Sequence, residues 1–215
     1  MHTKYGCYHL FTIFTITLTN FNQPENKLSE SQKIKNVWKS FQLGSKEAFA
    51  IIYKEHLDTL YHYGAKLCYD MEMVKDAIQE VFLDLYLNRK KNNCNPENLK
   101  YYLILALKRN LIKKMKFSRK QVEVPSNEQF FEPQYSIEKE IVDNDSAAEK
   151  NLKLCRAIEK LPAKQKEALY LRFNESIQYP EIAKILNISI ESVRKQVYRA
   201  LKSIRESIEK EMYIF

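Results

Sequence analysis

The residues best suited to chemistry on a nucleic acid lie in positions 180–201, Pro-Glu-Ile-Ala-Lys-Ile-Leu, Asn-Ile-Ser, then Ile-Glu-Ser-Val-Arg-Lys-Gln-Val-Tyr-Arg-Ala-Leu. Pro180 suits the first helical position, where its missing N–H costs nothing, and Ile182, Ala183, Ile185 and Leu186 give a short helix one buried side. Asn187 tolerates a left-handed backbone and Ser189 caps a second helix. On that helix Val193, Val197, Ala200 and Leu201 share a face, which leaves Ser192, Arg194, Lys195, Gln196 and Arg199 outside. A short helix, a tight turn and a basic, amide-bearing second helix describe a helix-turn-helix, whose second helix can enter a DNA major groove. The same pattern also fits an ordinary αα-hairpin with a solvated charged face.

Two earlier stretches carry other chemistry. In the helix expected over 71–87, capped by Asp70, a buried stripe of Ala77, Ile78, Val81 and Leu85 stands beside a face made of Asp76, Gln79, Glu80 and Leu83. Such a face is either solvated surface or a dock for a basic partner protein. The helix expected over 98–117 begins with Tyr101 and Tyr102 and turns Leu103, Ala106, Leu107, Asn110 and Leu111 inward. Lys108, Arg109, Lys113, Lys116 and later Arg119 run along its other side. Basic groups neutralise phosphates, and an aromatic face stacks an unpaired base for about 1–3 kcal/mol, although core packing accounts equally well for each tyrosine. Between the two helices, residues 89–96 (Arg-Lys-Lys-Asn-Asn-Cys-Asn-Pro) read as a polar loop.

The elements that must position these groups are helical. Three glycines in 215 residues, no Asn-Gly hairpin dipeptide and long spans of period 3.6 predict an all-α chain. Ile34, Val37, Trp38 and Phe41 mark a first helix over 31–41, and Gly44-Ser45 ends it and starts another. Over 46–68 the stripe Phe49, Ile52, Tyr53, Leu57, Leu60, Tyr61 and Gly64 is the expected core face, with His56 and His62 beside it as packed or solvated histidines. Residues 121–148 have no helical period, contain Pro125 and Pro133, and read as a linker. Helices over 151–161 (Leu154, Ile158 and Leu161 inward) and 163–173 (Ala168, Leu169 and Leu171 inward) lead to the helix-turn-helix. Its last helix continues through Ile204 and Ile208.

Charge supports this division. The chain carries a net charge of +8, yet residues 89–120 hold eleven Lys/Arg against one acid, and residues 121–149 hold eight acids against one Lys. A basic, acidic, basic succession fits two small helical domains that face nucleic acid, 31–120 and 150–215, joined by an acidic linker over 121–149. The four cysteines, Cys7, Cys68, Cys94 and Cys155, are scattered without metal spacing, which points to a reduced, cytoplasmic chain without structural zinc, a secreted disulfide-bonded chain being the competing reading that so low a cysteine density disfavours; no metal site and no cofactor are expected. Residues 1–30 read as a disordered or spurious extension, too threonine-rich in their apolar part to span a membrane, so no membrane insertion is expected. The apolar tail, Met212 to Phe215, suggests no role.

Two sets of residues resemble one family, the extracytoplasmic-function group of bacterial RNA polymerase sigma factors. Trp38, Gly44-Ser45-Lys46-Glu47-Ala48-Phe49 and Tyr53, continued by Asp76-Ala77-Ile78-Gln79-Glu80-Val81-Phe82, Tyr102-Leu103 and Arg109-Asn110, are similar to region 2 of that family. Leu161-Pro162-Ala163-Lys164-Gln165-Lys166-Glu167-Ala168, Glu181-Ile182-Ala183, Ser192-Val193 and Arg199-Ala200-Leu201 are similar to region 4. The resemblance covers residues 31–208 with the linker unmatched.

It implies a promoter-specificity subunit, not an enzyme, with no catalytic residues of its own and with core RNA polymerase and promoter DNA as partners. It also admits an anti-sigma factor. Asp76, Gln79, Glu80, Phe82 and Leu83 then become the surface for core polymerase. Asn92, Asn93, Tyr101, Tyr102, Lys108, Arg109 and Lys113 become the group that opens and holds the minus-ten element. Ser189, Ser192, Arg194, Lys195, Gln196 and Arg199 become the reader of the minus-thirty-five element. Three places depart from the family pattern: Lys113 and Lys114 stand where an acid is usual, Asn187 where Gly is common, and residues 174–177 lack the usual glycine. A stand-alone operator-binding regulator is the alternative, needing the last domain but not the acidic face.

Overall fold

The computed structural model describes residues 27–92, 94–121, Phe131 and 145–212, so the expectations placed on most of residues 1–30, on Asn93, on most of the linker and on the last three residues lie outside the described residues. Its helices fall into two units, one within residues 22–130 and one within 131–215.

The first unit contains α1 (Lys27–Gln42), α2 (Lys46–Leu67), α3 (Met71–Leu87), a 3-10 turn (Pro96–Asn98) and α4 (Leu99–Gln121). Gly44 closes α1 with φ +102°, a conformation open to glycine, and its N–H bonds to the Phe41 carbonyl at 2.9 Å. Ser45 then caps α2 by accepting from the Ala48 N–H at 3.1 Å. Asp70 caps α3 as expected, accepting from the Glu72 and Met73 N–H groups at 3.0 Å each. Phe41, Leu60, Tyr63, Val74, Leu85, Leu103 and Leu107 are sealed in the core.

The buried face of α2 differs from the stripe read in the sequence. Ile52, Leu60 and Gly64 are buried, but Ala48, His56, Tyr63 and Leu67 join them, while Phe49, Tyr53, Leu57 and Tyr61 are half-buried. Neighbours on several sides explain the shift, because α2 packs on α1, α3 and α4 at once and its apolar residues face more than one of them. Phe49 and Tyr53 instead build an aromatic seam with Phe82 and Tyr86 of α3, with ring centroids 4.6–6.3 Å apart.

The second unit contains α5 (Asp145–Glu159), α6 (Ala163–Leu169), a π-helical turn (Tyr170–Asn174), α7 (Tyr179–Leu186) and α8 (Ile190–Met212). Two features correct the linker bounds. Helix α5 begins at Asp145, inside the stretch read as linker, and Phe131 is 2% exposed with its ring 5.8 Å from that of Tyr170. Large apolar residues scattered through an acidic, aperiodic stretch give no signal of period, yet Phe131 has as much to gain from burial as any core phenylalanine. Ala168, Leu171, Ile182, Val193 and Ala200 form the centre of this unit.

Candidate functional site

The helix-turn-helix is built by local chemistry at each junction. Helix α7 starts at Tyr179, which places Pro180 one residue later than the sequence suggested, and the Glu181 carboxylate reaches back to accept from the Gln178 N–H at 3.3 Å. Asn187 ends α7 in the left-handed region at φ 53°, ψ 49°, and the Ile188 N–H returns to the Ala183 carbonyl at 3.0 Å. Ser189 then caps α8, its Oγ accepting from the Ser192 N–H at 3.1 Å and lying 2.9 Å from the Ser192 hydroxyl. Val193, Val197 and Ala200 are buried and Leu201 is half-buried. Arg194, Lys195 and Arg199 are exposed, with Ser192 and Gln196 half-exposed beside them. This arrangement presents cations and an amide on one convex helix, the form that fits a major groove.

Two tyrosines of this unit escaped the sequence reading. Tyr198 is 68% exposed, and its position four residues after Arg194 was the available signal. Tyr179, half-buried at the start of α7, lies beneath two guanidinium groups, those of Arg172 at 4.9 Å and Arg194 at 5.9 Å from its ring centroid.

In the first unit, Asp76, Gln79, Glu80 and Leu83 are exposed on α3 as expected from their spacing. Leu83 is 56% exposed and Leu87, one turn further, is 64% exposed, so the apolar part of this face is longer than the sequence reading made it. Phe82 does not belong to it. Its side chain is 2% exposed and packs 4.6 Å from the Tyr53 ring, so it supports the face from beneath and cannot meet a partner.

The basic helix α4 also needs one correction. Arg109 and Lys113 are exposed and Tyr101 and Tyr102 half-buried, but Lys108 is only 5% exposed. Ile104, Leu107 and Leu111 are all sealed in the core, and Lys108 completes their i, i+3, i+4, i+7 stripe, so the helix turns its stem inward. Asn92 is likewise turned into its own loop. Its Oδ1 accepts from the Cys94 N–H at 2.9 Å, its carbonyl from the Gln42 amide at 3.1 Å, and its Nδ2 is enclosed without a hydrogen-bond partner. The loop is fastened further by Arg89, whose guanidinium lies 4.5 Å from the Tyr86 ring centroid and donates to the Tyr86 carbonyl at 2.9 Å. Glu97 of the 3-10 turn ties it to α1 through Ser31 at 2.8 Å and Lys35 at 3.4 Å, contacts that hold its carboxyl below the usual range.

Residues 52–121 match the family model for sigma-70 region 2, and residues 152–204 match that for sigma-70 region 4. Together the two spans take in more than half of the chain, in the family's order. The chain belongs to the sigma-70 family, in its extracytoplasmic-function group. It is an RNA polymerase sigma factor, a class of non-catalytic initiation factors that bind core polymerase and promoter DNA.

Among curated relatives, the sigma factor is 22% identical over 176 residues to the ECF RNA polymerase sigma factor BldN of Streptomyces coelicolor, covering 82% of this chain and 66% of that protein. It is 25% identical over 176 residues to the RNA polymerase sigma-H factor of Pseudomonas aeruginosa, covering 78% of this chain and 90% of the other. Among solved structures, RpoE of Bartonella quintana in complex with the anti-sigma factor NepR superposes with a TM-score of 0.51 at 18% identity, covering 75% of this chain and 96% of that one. CnrH in complex with the cytosolic domain of CnrY gives 0.50 at 14% identity, covering 81% and 96%. These likenesses establish the helical fold.

Each departure from the family pattern has a local answer in this sigma factor. Asn187 takes the left-handed turn where glycine is common. In the connector that lacks its glycine, Ser176 adopts φ 57°. Lys114, where an acid is usual, pairs with Glu80 at 2.7 Å. Among the described residues no helix is long and apolar enough to cross a membrane, and no group of His, Cys, Asp and Glu is placed to hold a metal ion.

Proposed function

We propose that this sigma factor docks on core polymerase through Asp76, Gln79, Leu83 and Leu87, opens the minus-ten element with α4 and the loop before it, and reads the minus-thirty-five element with α8. The observation that carries this reading is the coexistence of two exposed surfaces of opposite character. One is an acidic, leucine-bearing face on α3; the other is the cationic face of Arg194, Lys195 and Arg199 on the second helix of a helix-turn-helix. A stand-alone operator-binding regulator uses the second and has no need of the first.

Opening the duplex costs a few kcal/mol per unstacked step, offset by stacking of exposed bases and by contacts to their phosphates. Tyr101, Tyr102, Arg109 and Lys113 supply those groups, while Lys108 and Asn92 act through the packing of the helix and the loop that carry them. The solved complexes of RpoE with the anti-sigma factor NepR and of CnrH with the cytosolic domain of CnrY support an anti-sigma protein as a further partner.

The test uses the full chain carrying Asp76→Lys with Gln79→Ala. Core polymerase binding should fall at least tenfold, while affinity for duplex carrying the upstream element stays within twofold. Unchanged core binding would remove the α3 face from the docking surface and favour the operator-binding reading.

A further inference from the structure

The two guanidinium groups over the Tyr179 ring are not equivalent. Arg172, in the π-helical turn, is tied down: its Nη1 donates to the Ile177 carbonyl at 3.2 Å and to the Gln178 Oε1 at 3.3 Å. Its carbon Cζ lies 4.9 Å from the ring centroid. A route of fixed groups therefore runs from the π turn through Arg172 to a ring at the first position of α7. Arg194 is exposed on the first turns of α8, with its Cζ 5.9 Å from the same centroid.

An exposed arginine holds about 2 kcal/mol of rotamer entropy, part of which is lost when it docks on a base edge. A ring that restricts the guanidinium beforehand takes that loss in the free protein, at a cation–π strength of about 0.5–1 kcal/mol for an exposed pair. We infer that Tyr179 is a positioning residue for promoter recognition, its ring, braced by Arg172, holding the Arg194 guanidinium in place at the DNA-facing end of α8. The inference rests on the reading of α8 as the duplex-contacting helix, and it assigns a recognition role to a residue outside that helix. The phenol oxygen has no part in it, so phenylalanine should serve as well as tyrosine.

The experiment measures affinity of the full chain, over a range of salt, for a duplex selected from a random library by wild-type holoenzyme and for a scrambled duplex. Tyr179→Leu should weaken binding of the selected duplex about two- to fivefold, the fold-change that corresponds to the exposed cation–π range. It should leave the salt slope and the scrambled-duplex affinity unchanged, since no cation is removed. Tyr179→Phe should restore wild-type affinity. Arg194→Ala should weaken binding and lower the salt slope, and adding Tyr179→Leu to it should cause no further loss.

Additive losses in the double variant, or Phe as damaging as Leu, would overturn the role of Tyr179 while leaving α8 as the reader. An inert Arg194→Ala would overturn the inference by taking Arg194 out of the DNA interface, and α8 would fall as the reader only if Lys195→Ala and Arg199→Ala were inert as well. If Tyr179→Leu lowers the thermal midpoint, Arg194→Lys is the second variant: it keeps the charge and loses the planar stack. Loss of selected-duplex affinity at an unchanged salt slope supports the inference, and undiminished affinity contradicts it.

Discussion

Glu80 and Lys114 are joined across α3 and α4 at 2.7 Å, and the Asn110 amide donates to the other Glu80 oxygen at 2.7 Å. These two bonds, first Lys114 and then Asn110, hold the Glu80 carboxyl below the usual carboxylate range. Glu80 therefore belongs both to the acidic face and to the internal fastening of the basic helix, and the lysine that breaks the family pattern is its partner. An exposed pair of this kind is worth less than about 1 kcal/mol, so Glu80→Gln should barely shift a urea midpoint at neutral pH. The sign of its pH effect follows from the lowered value. Whatever the tie contributes is present above the ordinary glutamate range and fades as acid protonates Glu80. A destabilisation above about 2 kcal/mol would show that the pair does more than fasten two helices.

His56 gives the larger pH effect. Burial, with a smaller repulsion from Lys100, lowers its value to about 4, and its Nδ1 is enclosed without a partner. The unfolded chain takes up a proton near 6.5 while the folded chain resists until about 4. Stability should therefore fall as pH drops through that window, by at most roughly 3 kcal/mol, and level off below it. Urea titrations of wild type and His56→Leu between pH 7 and pH 4 check this, the variant losing stability less steeply. Parallel curves for the two proteins would contradict it.

Gly64 is a packing constraint. A Cβ there would stand 2.7 Å from Val74 Cγ1, with Leu107 and Leu111 at 3.5 and 3.7 Å. Gly64→Ala should destabilise the first unit by about 1–3 kcal/mol despite alanine's better helix propensity, read as a lower thermal midpoint. A stabilised variant would mean that α3 can move away at no cost.

Ser176 and Asn187 hold positive φ values of 57° and 53° without being glycines. Asparagine visits this region more readily than serine, so Ser176→Gly should gain up to about 1 kcal/mol and Asn187→Gly less. The order of the two gains in chemical denaturation is the informative quantity, and the reverse order would contradict the strain argument.

On α8, Arg194→Ala and Lys195→Ala should each lower the slope of log affinity against log salt by about one on promoter duplex. An unchanged slope for either residue takes it out of the DNA interface.

The legible parts of this chain were those fixed by neighbours in sequence. The Asp70 cap, the left-handed Asn187, the Ser189 cap and the Val193 to Ala200 face all depend on groups within a few residues, and each stands as read. The failures have other causes. Lys108 has a residue type that suits an exposed role and Phe82 was drawn outward by the family resemblance, yet each falls on its helix's buried stripe, Lys108 with Ile104, Leu107 and Leu111 and Phe82 with Ile78, Val81 and Leu85. Phe131 and the start of α5 sit in an acidic stretch whose composition outweighed one buried ring. The Arg172, Tyr179 and Arg194 arrangement joins three elements and has no signature in any one of them.

The most direct measurement is run-off transcription with purified core polymerase on a library of randomised promoters, with and without this chain. Transcripts that appear only when the chain is added, from templates sharing two elements at fixed separation, are the predicted result. Initiation no different from that of core polymerase alone, alongside intact binding of the chain to duplex DNA, would contradict the proposed function.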